Sequence, residues 1–175
     1  MTYGSLFAGA GGGDIGLERA GFRPLWQVEC DAQANAVRRR HWPDCVHVRD
    51  VCWFSRWPKR FGSWLDRYER PDVIIGGFPC QDLSVAGKRA GLAGNRSGMW
   101  WQMLRIITGM RPDYVIWENV PGLLSSDDGR DFGRVLRGLA DLGYFGAWRV
   151  LDARFFGVPQ RRRRVFGVFA RGRTG

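Results

Sequence analysis

Short apolar runs alternate along this chain with segments of helical character, and that alternation constrains the fold more than any other feature. Asp72-Val73-Ile74-Ile75-Gly76-Gly77 and Tyr114-Val115-Ile116-Trp117-Glu118 read as buried strands, with a helix from Gly98 to Met110 between them. Earlier, Tyr3 to Phe7 predicts a strand running into the glycine-rich turn Gly9-Ala10-Gly11-Gly12-Gly13. Asp14 to Ala20 predicts a helix stopped by Gly21. Pro24 to Glu29 is a second strand, Ala32 to His41 a helix, and Val46 and Val48 mark a short strand ending at Asp50. Trp53 to Arg70 is aromatic, basic and partly helical. Asp131 to Leu142 is a helix followed by Gly143, and Tyr144 to Leu151 and Arg164 to Phe169 are the last strands, paired antiparallel across Gly157-Val158-Pro159. Strands separated by helices imply βαβ units around a mostly parallel sheet. No repeat, low-complexity block or linker interrupts the pattern, so the reading is one α/β domain.

Composition narrows the function. The 175 residues suffice for one core without disulfides or metals. No window approaches 18 uninterrupted apolar residues, and Met1-Thr2-Tyr3-Gly4 carries no secretory n-region, so a soluble, intracellular chain is expected. Lys plus Arg is 27 against 17 for Asp plus Glu, a formal charge of +10 that favours a polyanionic partner such as nucleic acid. Only Lys59 and Lys88 are lysines, so a codon-biased genome is the plain alternative. Cys30, Cys45, Cys52 and Cys80 show no CxxC pair and no Cys/His spacing, which argues against zinc and against a disulfide framework.

The informative residues fall beyond the carboxyl ends of the strands, where open α/β sheets bind ligands. Phe7-Ala8-Gly9-Ala10-Gly11-Gly12 lets backbone approach a ligand and exposes a helix N-terminus, although a tight turn alone also explains such glycines. Glu29 closes the second strand about where a carboxylate accepts hydrogen bonds from a ribose, and Asp50 closes the third. Together they suggest an adenosine-containing cofactor. Cys80 sits on the turn Gly76-Gly77-Phe78-Pro79-Cys80-Gln81, a poor place for an inert core thiol. Glu118 ends a buried strand, where a carboxylate is costly unless it has a partner or a proton, and suits a general acid with a raised pKa. Gln160-Arg161-Arg162-Arg163-Arg164 leads into Val165-Phe166-Gly167-Val168-Phe169, so alternate arginines must face the core side or the site. Ser125, Ser126, Asp127 and Asp128 read as a helix N-cap region.

A thiol, an acid and a basic strand together imply covalent chemistry on an electron-poor ring in a nucleic acid. The chain resembles the cytosine-5 DNA methyltransferases in seven motifs, in order. These are Phe7-x-Gly9-x-Gly11, Glu29, Asp50, Pro79-Cys80-Gln81, Arg96-Ser97-Gly98, Glu118-Asn119-Val120 and Gln160-x-Arg162-x-Arg164. The resemblance implies a Rossmann-like S-adenosylmethionine-dependent methyltransferase fold, a mostly parallel sheet with a C-terminal antiparallel strand. Residues 1–170 would be the catalytic domain, with a cofactor half at 1–76, a catalytic loop at 77–98, the remaining sheet and Arg-rich strand at 99–170, and a frayed tail at 171–175.

The resemblance also implies roles. A cytosine of DNA would be flipped from the duplex. Cys80 would attack carbon-6, Glu118 would hydrogen-bond or protonate nitrogen-3, and Arg164 with Arg162 would stabilise developing negative charge. S-adenosylmethionine would be held by Phe7, Gly9, Gly11, Glu29, Asp50, Pro79 and Met99. Gln81, Ser84, Lys88, Arg89, Arg96 and Asn119 would contact nucleic acid, the loop residues on a mobile segment. Family members normally continue into a target-recognition domain and two further motifs, one supplying a helix that packs on the sheet. A second polypeptide is therefore the expected source of recognition, in the cytoplasm of a bacterium or phage-infected host. Alternatives are a chain acting alone with little sequence preference, an inactive remnant that binds nucleic acid or cofactor, and an RNA cytosine-5 methyltransferase. No metal or membrane partner is expected.

Overall fold

The computed structural model describes residues 1–52, 69–79 and 98–172. The stretch expected to be partly helical, Trp53 to Arg70, lies outside them except for its last two residues, as does the loop from Cys80 to Ser97. In chain order the elements are β1 (Thr2–Leu6), α1 (Gly12–Arg19), β2 (Arg23–Val28), α2 (Ala32–His41), β3 (Val46–Val48) and β4 (Val73–Gly76). They continue with α3 (Met99–Met110), β5 (Tyr114–Asn119), α4 (Arg130–Asp141), β6 (Tyr144–Asp152) and β7 (Arg163–Arg171).

One sheet runs in the order β3-β2-β1-β4-β5-β7-β6. β3, β2, β1, β4 and β5 are mutually parallel, and β7 lies antiparallel between β5 and β6. The chain winds outward from β1 to β3, then returns to β4 on the other side of β1. That reversal of strand order opens a crevice beyond the carboxyl ends of β1 and β4, where ligands bind in such sheets. Because β7 runs the other way, its first residues lie at the same end as the last residues of β5, with Asn119 opposite Val165.

Period-two burial explains the layers. Leu6, Ile74, Val115, Trp117, Val165 and Phe169 face one side and pack under α3 and α4 with Trp100, Met103, Ile107, Val135 and Leu139. Each such large side chain, fully buried, contributes about 1.5–3 kcal/mol. Tyr3, Val73 and Ile75 face the other side against Leu17 of α1. Past Ile116 that second face opens, leaving Tyr114, Phe145 and Val168 exposed.

Two expectations need correction. The tail does not fray at Arg171, which continues β7 and donates from its guanidinium to Asp113 at 2.8 Å, while the Gly172 N–H reaches the Gly143 carbonyl. The N-cap region at 125–128 instead follows the 3₁₀ turn Pro121–Leu124 and lies in a second one, Ser126–Gly129, with Asp127 and Asp128 at positive φ and Gly129 as the N-cap of α4.

Candidate active site

The glycine turn after β1 is built for close approach. Phe7 lies at φ +55, a left-handed conformation that costs a non-glycine residue on the order of 1–3 kcal/mol and recurs at functional sites. Gly11 lies at φ +93, and a Cβ there would stand 2.3 Å from the Trp42 ring, so only glycine fits. Side chains built at Gly9 or Gly12 would meet nothing within 4 Å among the described residues. The N-terminus of α1 has no side-chain cap, which leaves its first amides directed outward.

Glu29 is joined to this turn. Its Oε2 accepts from the Gly9 N–H at 2.7 Å, and its Oε1 accepts from the Cys30 and Asp31 amides at 2.8 and 2.9 Å. A carboxylate offers about four acceptor positions, so one remains for a ligand hydroxyl. Asp50 accepts from the Cys52 amide through Oδ1, and its Oδ2 has no partner among the described residues. The Cys52 thiol lies 3.9 Å from the Met99 sulfur, which brings the end of β3 to the start of α3. Open glycine positions, an uncapped helix N-terminus and two carboxylates with spare acceptors fit an adenosine-containing ligand with ribose hydroxyls and an exocyclic amine.

Behind these residues lies a buried polar network that sequence reasoning missed. Asp14 accepts from the Ser5 hydroxyl and from Gln27 Nε2 at 3.2 and 2.7 Å. The Gln27 carbonyl oxygen accepts from Arg38 Nε at 3.1 Å, and Arg38 Nη1 reaches Asn35 Oδ1 at 3.2 Å. Asn35 in turn donates to the main-chain carbonyls of Glu29 and Asp31 at 2.8 and 2.7 Å. Arg38 and Gln27 are fully buried and Asp14 nearly so. Burial pushes the Asp14 carboxyl above its ordinary value, against the hydrogen bonds from Gln27 and Ser5 and the charge of Arg38. Burial likewise lowers Arg38 and His47. The network ties the start of α1 to the main chain at Glu29. Its one sequence signal was Gln27, a polar residue at the apolar end of β2.

The second cluster lies at the ends of β5 and β7. Glu118 Oε1 and Arg164 Nε are 2.8 Å apart, with side chains 32% and 23% exposed, so the pair is reachable from the crevice. A carboxylate at the end of a buried strand needs a partner or a proton, and here it has the partner. Arg164 Nη1 also donates to the Arg163 carbonyl, leaving Nη2 without a partner among the described residues. A Cβ at Gly77 would come 3.1 Å from Glu118 Oε2, so this glycine gives the carboxylate its room. Asn119 is buried, and its Nδ2 donates to the Phe78 carbonyl at 3.2 Å while Oδ1 accepts from the Val120 amide. It ties β5 to the segment that leads into Cys80. Pro79 ends that described segment. Arg162 is exposed and forms no ion pair among the described residues. Cys80, Gln81, Ser84, Lys88, Arg89 and Arg96 lie outside the described residues.

Comparison with known proteins places this geometry in context. The model of the family described as C-5 cytosine-specific DNA methylase matches residues 1–174. The chain is 36% identical to the Bacillus subtilis type II methyltransferase M2.BsuMI over 169 residues, covering 94% of this chain and 41% of that protein. It is 38% identical to the Escherichia coli type II methyltransferase M.Eco47II over 168 residues, covering 95% and 38%. It is also 32% identical to a DNA N-6-adenine-methyltransferase of Escherichia phage P1, covering 99% and 29%. Among solved structures, a prophage-encoded E. coli chain described as a DNA modification methyltransferase superposes with a TM-score of 0.81 at 25% identity, over 98% of this chain and 47% of that one. Spodoptera frugiperda DNMT2 shares the fold with a TM-score of 0.75 at 21% identity, over 99% and 50%. The chain therefore spans about half the length of these proteins or less.

Proposed function

The chain belongs to the C-5 cytosine-specific DNA methylase family, and on that premise we propose that it transfers a methyl group from S-adenosylmethionine to carbon-5 of cytosine in duplex DNA. The observation that carries this reading is the Glu118–Arg164 pair, open to the crevice and beside the segment entering Pro79-Cys80-Gln81. The type II relatives give it a restriction–modification setting.

The cofactor would be held by the turn at Phe7, Gly9 and Gly11, by Glu29 at the ribose and Asp50 at the exocyclic amine, with Pro79 and Met99 lining the pocket. When bound, S-adenosylmethionine supplies an electrophilic methyl group. The target cytosine leaves the stack, because its ring carbons are unreachable inside a duplex. The Cys80 thiolate bonds carbon-6, and the displaced electron pair makes carbon-5 nucleophilic. Glu118 faces ring nitrogen-3 and provides a hydrogen bond or proton there. Arg164 keeps Glu118 oriented through Nε and offers Nη2 to the exocyclic oxygen, with Arg162 toward phosphate. After methylation, loss of the carbon-5 proton returns an electron pair to the ring and expels Cys80. Target-sequence recognition we assign to a further segment of the kind that the longer relatives have room for, whether it is carried on a second chain or not. The exposed Tyr114, Phe145 and Val168 on one sheet face offer it an apolar surface.

The test is transfer of labelled methyl to mixed-sequence duplex DNA, beside Cys80→Ala, followed by digestion to nucleosides. The expected product is 5-methylcytosine, lost with Cys80→Ala. Label in N6-methyladenine, label retained by Cys80→Ala, or preferential labelling of tRNA each overturns the reading. Transfer that appears only when the remainder of a full-length relative is added supports the assignment of recognition to a further segment. A folded chain inert under both conditions marks an inactive remnant.

A further inference from the structure

A second charged surface lies on the free edge of the sheet, outside the residues assigned above. Along the outer half of β6 and the 3₁₀ turn Ala153–Phe156 runs an open groove of about 960 Å³, lined by Arg149, Arg154, Arg161 and Arg163 and by the rings of Phe155 and Phe156. Asp152 is its one acidic residue among the described residues and is paired with Arg154 at 3.3 Å. Arg149, Arg161 and Arg163 are exposed and form no ion pair among the described residues. Phe155 and Phe156 are 73% and 65% exposed, too open to serve the core.

We propose that this groove binds the sugar–phosphate backbone of duplex DNA flanking the target base, a contact that rests on the methyltransferase reading and adds a subsite to it. Unpaired guanidiniums match phosphate oxygens in geometry and charge, and exposed rings among them match sugars or a splayed base. Position supports the same occupant. Strand register puts Leu151 opposite Arg164 and Asp152 opposite Arg163, so the groove begins beside the arginine that holds Glu118. One row across the sheet runs Glu118, Phe166, Arg149. Two strand spacings separate its ends by about 10 Å, or roughly three base steps at 3.4 Å per step. A duplex presenting a base to Glu118 thus has its flanking backbone within reach of this edge.

The experiment is fluorescence anisotropy of the chain with a labelled 30-base-pair duplex across a salt series. It compares the triple substitution Arg149→Ala, Arg161→Ala, Arg163→Ala with the lysine triple at the same positions. Each lost phosphate contact lowers the slope of log K against log salt by about 0.9, so the alanine triple is expected to lose about 2–3 units of slope while far-UV circular dichroism is unchanged. The lysine triple is expected to restore most of it. An unchanged slope in the alanine triple, no recovery with lysine, or tighter binding of tRNA than of duplex overturns the proposal. Methyl transfer by the unsubstituted chain separates the two readings. Transfer with an unchanged slope in the triple refutes the groove alone, and a slope that depends on the groove, without transfer even when the remainder of a full-length relative is added, refutes the enzyme reading alone.

Discussion

Replacing Arg38 by methionine tests whether the buried network beneath the glycine turn works as an electrostatic unit. The substitution removes a fully buried guanidinium and leaves Gln27 Oε1 and Asn35 Oδ1 without their donor. A buried acceptor stripped of its partner costs about 1–3 kcal/mol, so two place the loss near 3 kcal/mol, toward the low end for breaking a buried ionic arrangement. In a domain of this size that lowers Tm by about 6–12 °C. The pH dependence carries the sharper information. Burial raises the Asp14 carboxyl in the native state above its ordinary value of 3.8, so the native state binds this proton more tightly than the unfolded chain. Stability present below pH 3.8 is therefore lost as pH rises through the native-state value. Arg38 opposes that rise, and without it the carboxyl moves higher still. Arg38→Met should accordingly cost most at pH 7 and least near pH 4, and Asp14→Asn should remove part of the penalty in the double variant. Urea unfolding of the four proteins at both pH values gives the cycle. A penalty independent of pH, and equal with or without Asp14→Asn, refutes the electrostatic argument.

Three further outcomes follow from single contacts. Gly77→Ala should push Glu118 from its place, since the new Cβ would stand 3.1 Å from Oε2. Methyl transfer should fall at least 10-fold while Tm moves little, and an unaltered rate shows that the carboxylate position does not matter. Gly11→Ala places a side chain at φ +93 against Trp42. It should weaken S-adenosylmethionine binding measured by calorimetry and destabilise by about 1–3 kcal/mol. Tyr144→Phe removes the buried hydroxyl that donates to the Pro112 carbonyl at 2.6 Å. It should cost about 1–2 kcal/mol in urea unfolding without altering methyl transfer. Burial pushes that phenol up to about 12, so its ultraviolet titration should begin only in strong alkali.

The strands were legible because each is a short run of apolar letters bounded by polar residues or glycine, even where burial alternates as in β5. Val73 to Gly76 and Tyr114 to Asn119 stand within a residue of their expected limits. Ala32–His41 is as expected, because Asp31 caps it by accepting from the Ala34 amide. The antiparallel pairing of the last two strands was readable as well. What stayed hidden depends on distant partners. Nothing near Arg38 says that Gln27 and Asn35 will meet it, and nothing near Arg171 says that Asp113 will hold it. Asn119 shows the same limit, since nothing in its own stretch says that its amide will donate to the Phe78 carbonyl. Pairing across the sheet decides such contacts, and one sequence does not display pairing.

The antiparallel insertion of β7 between β5 and β6 also sets an order of events during synthesis. A ribosome emits the glycine turn, Cys80 and Glu118 first, and Arg164 follows after roughly 2–9 s at about 5–20 residues per second. Until the last hairpin closes, β5 has a bare apolar edge and its carboxylate lacks the guanidinium that orients it. A nascent chain stalled within that interval presents a sticky strand and an unfinished centre together. Closure of the apolar edge and completion of the Glu118–Arg164 pair thus come from the same late step, the docking of one strand.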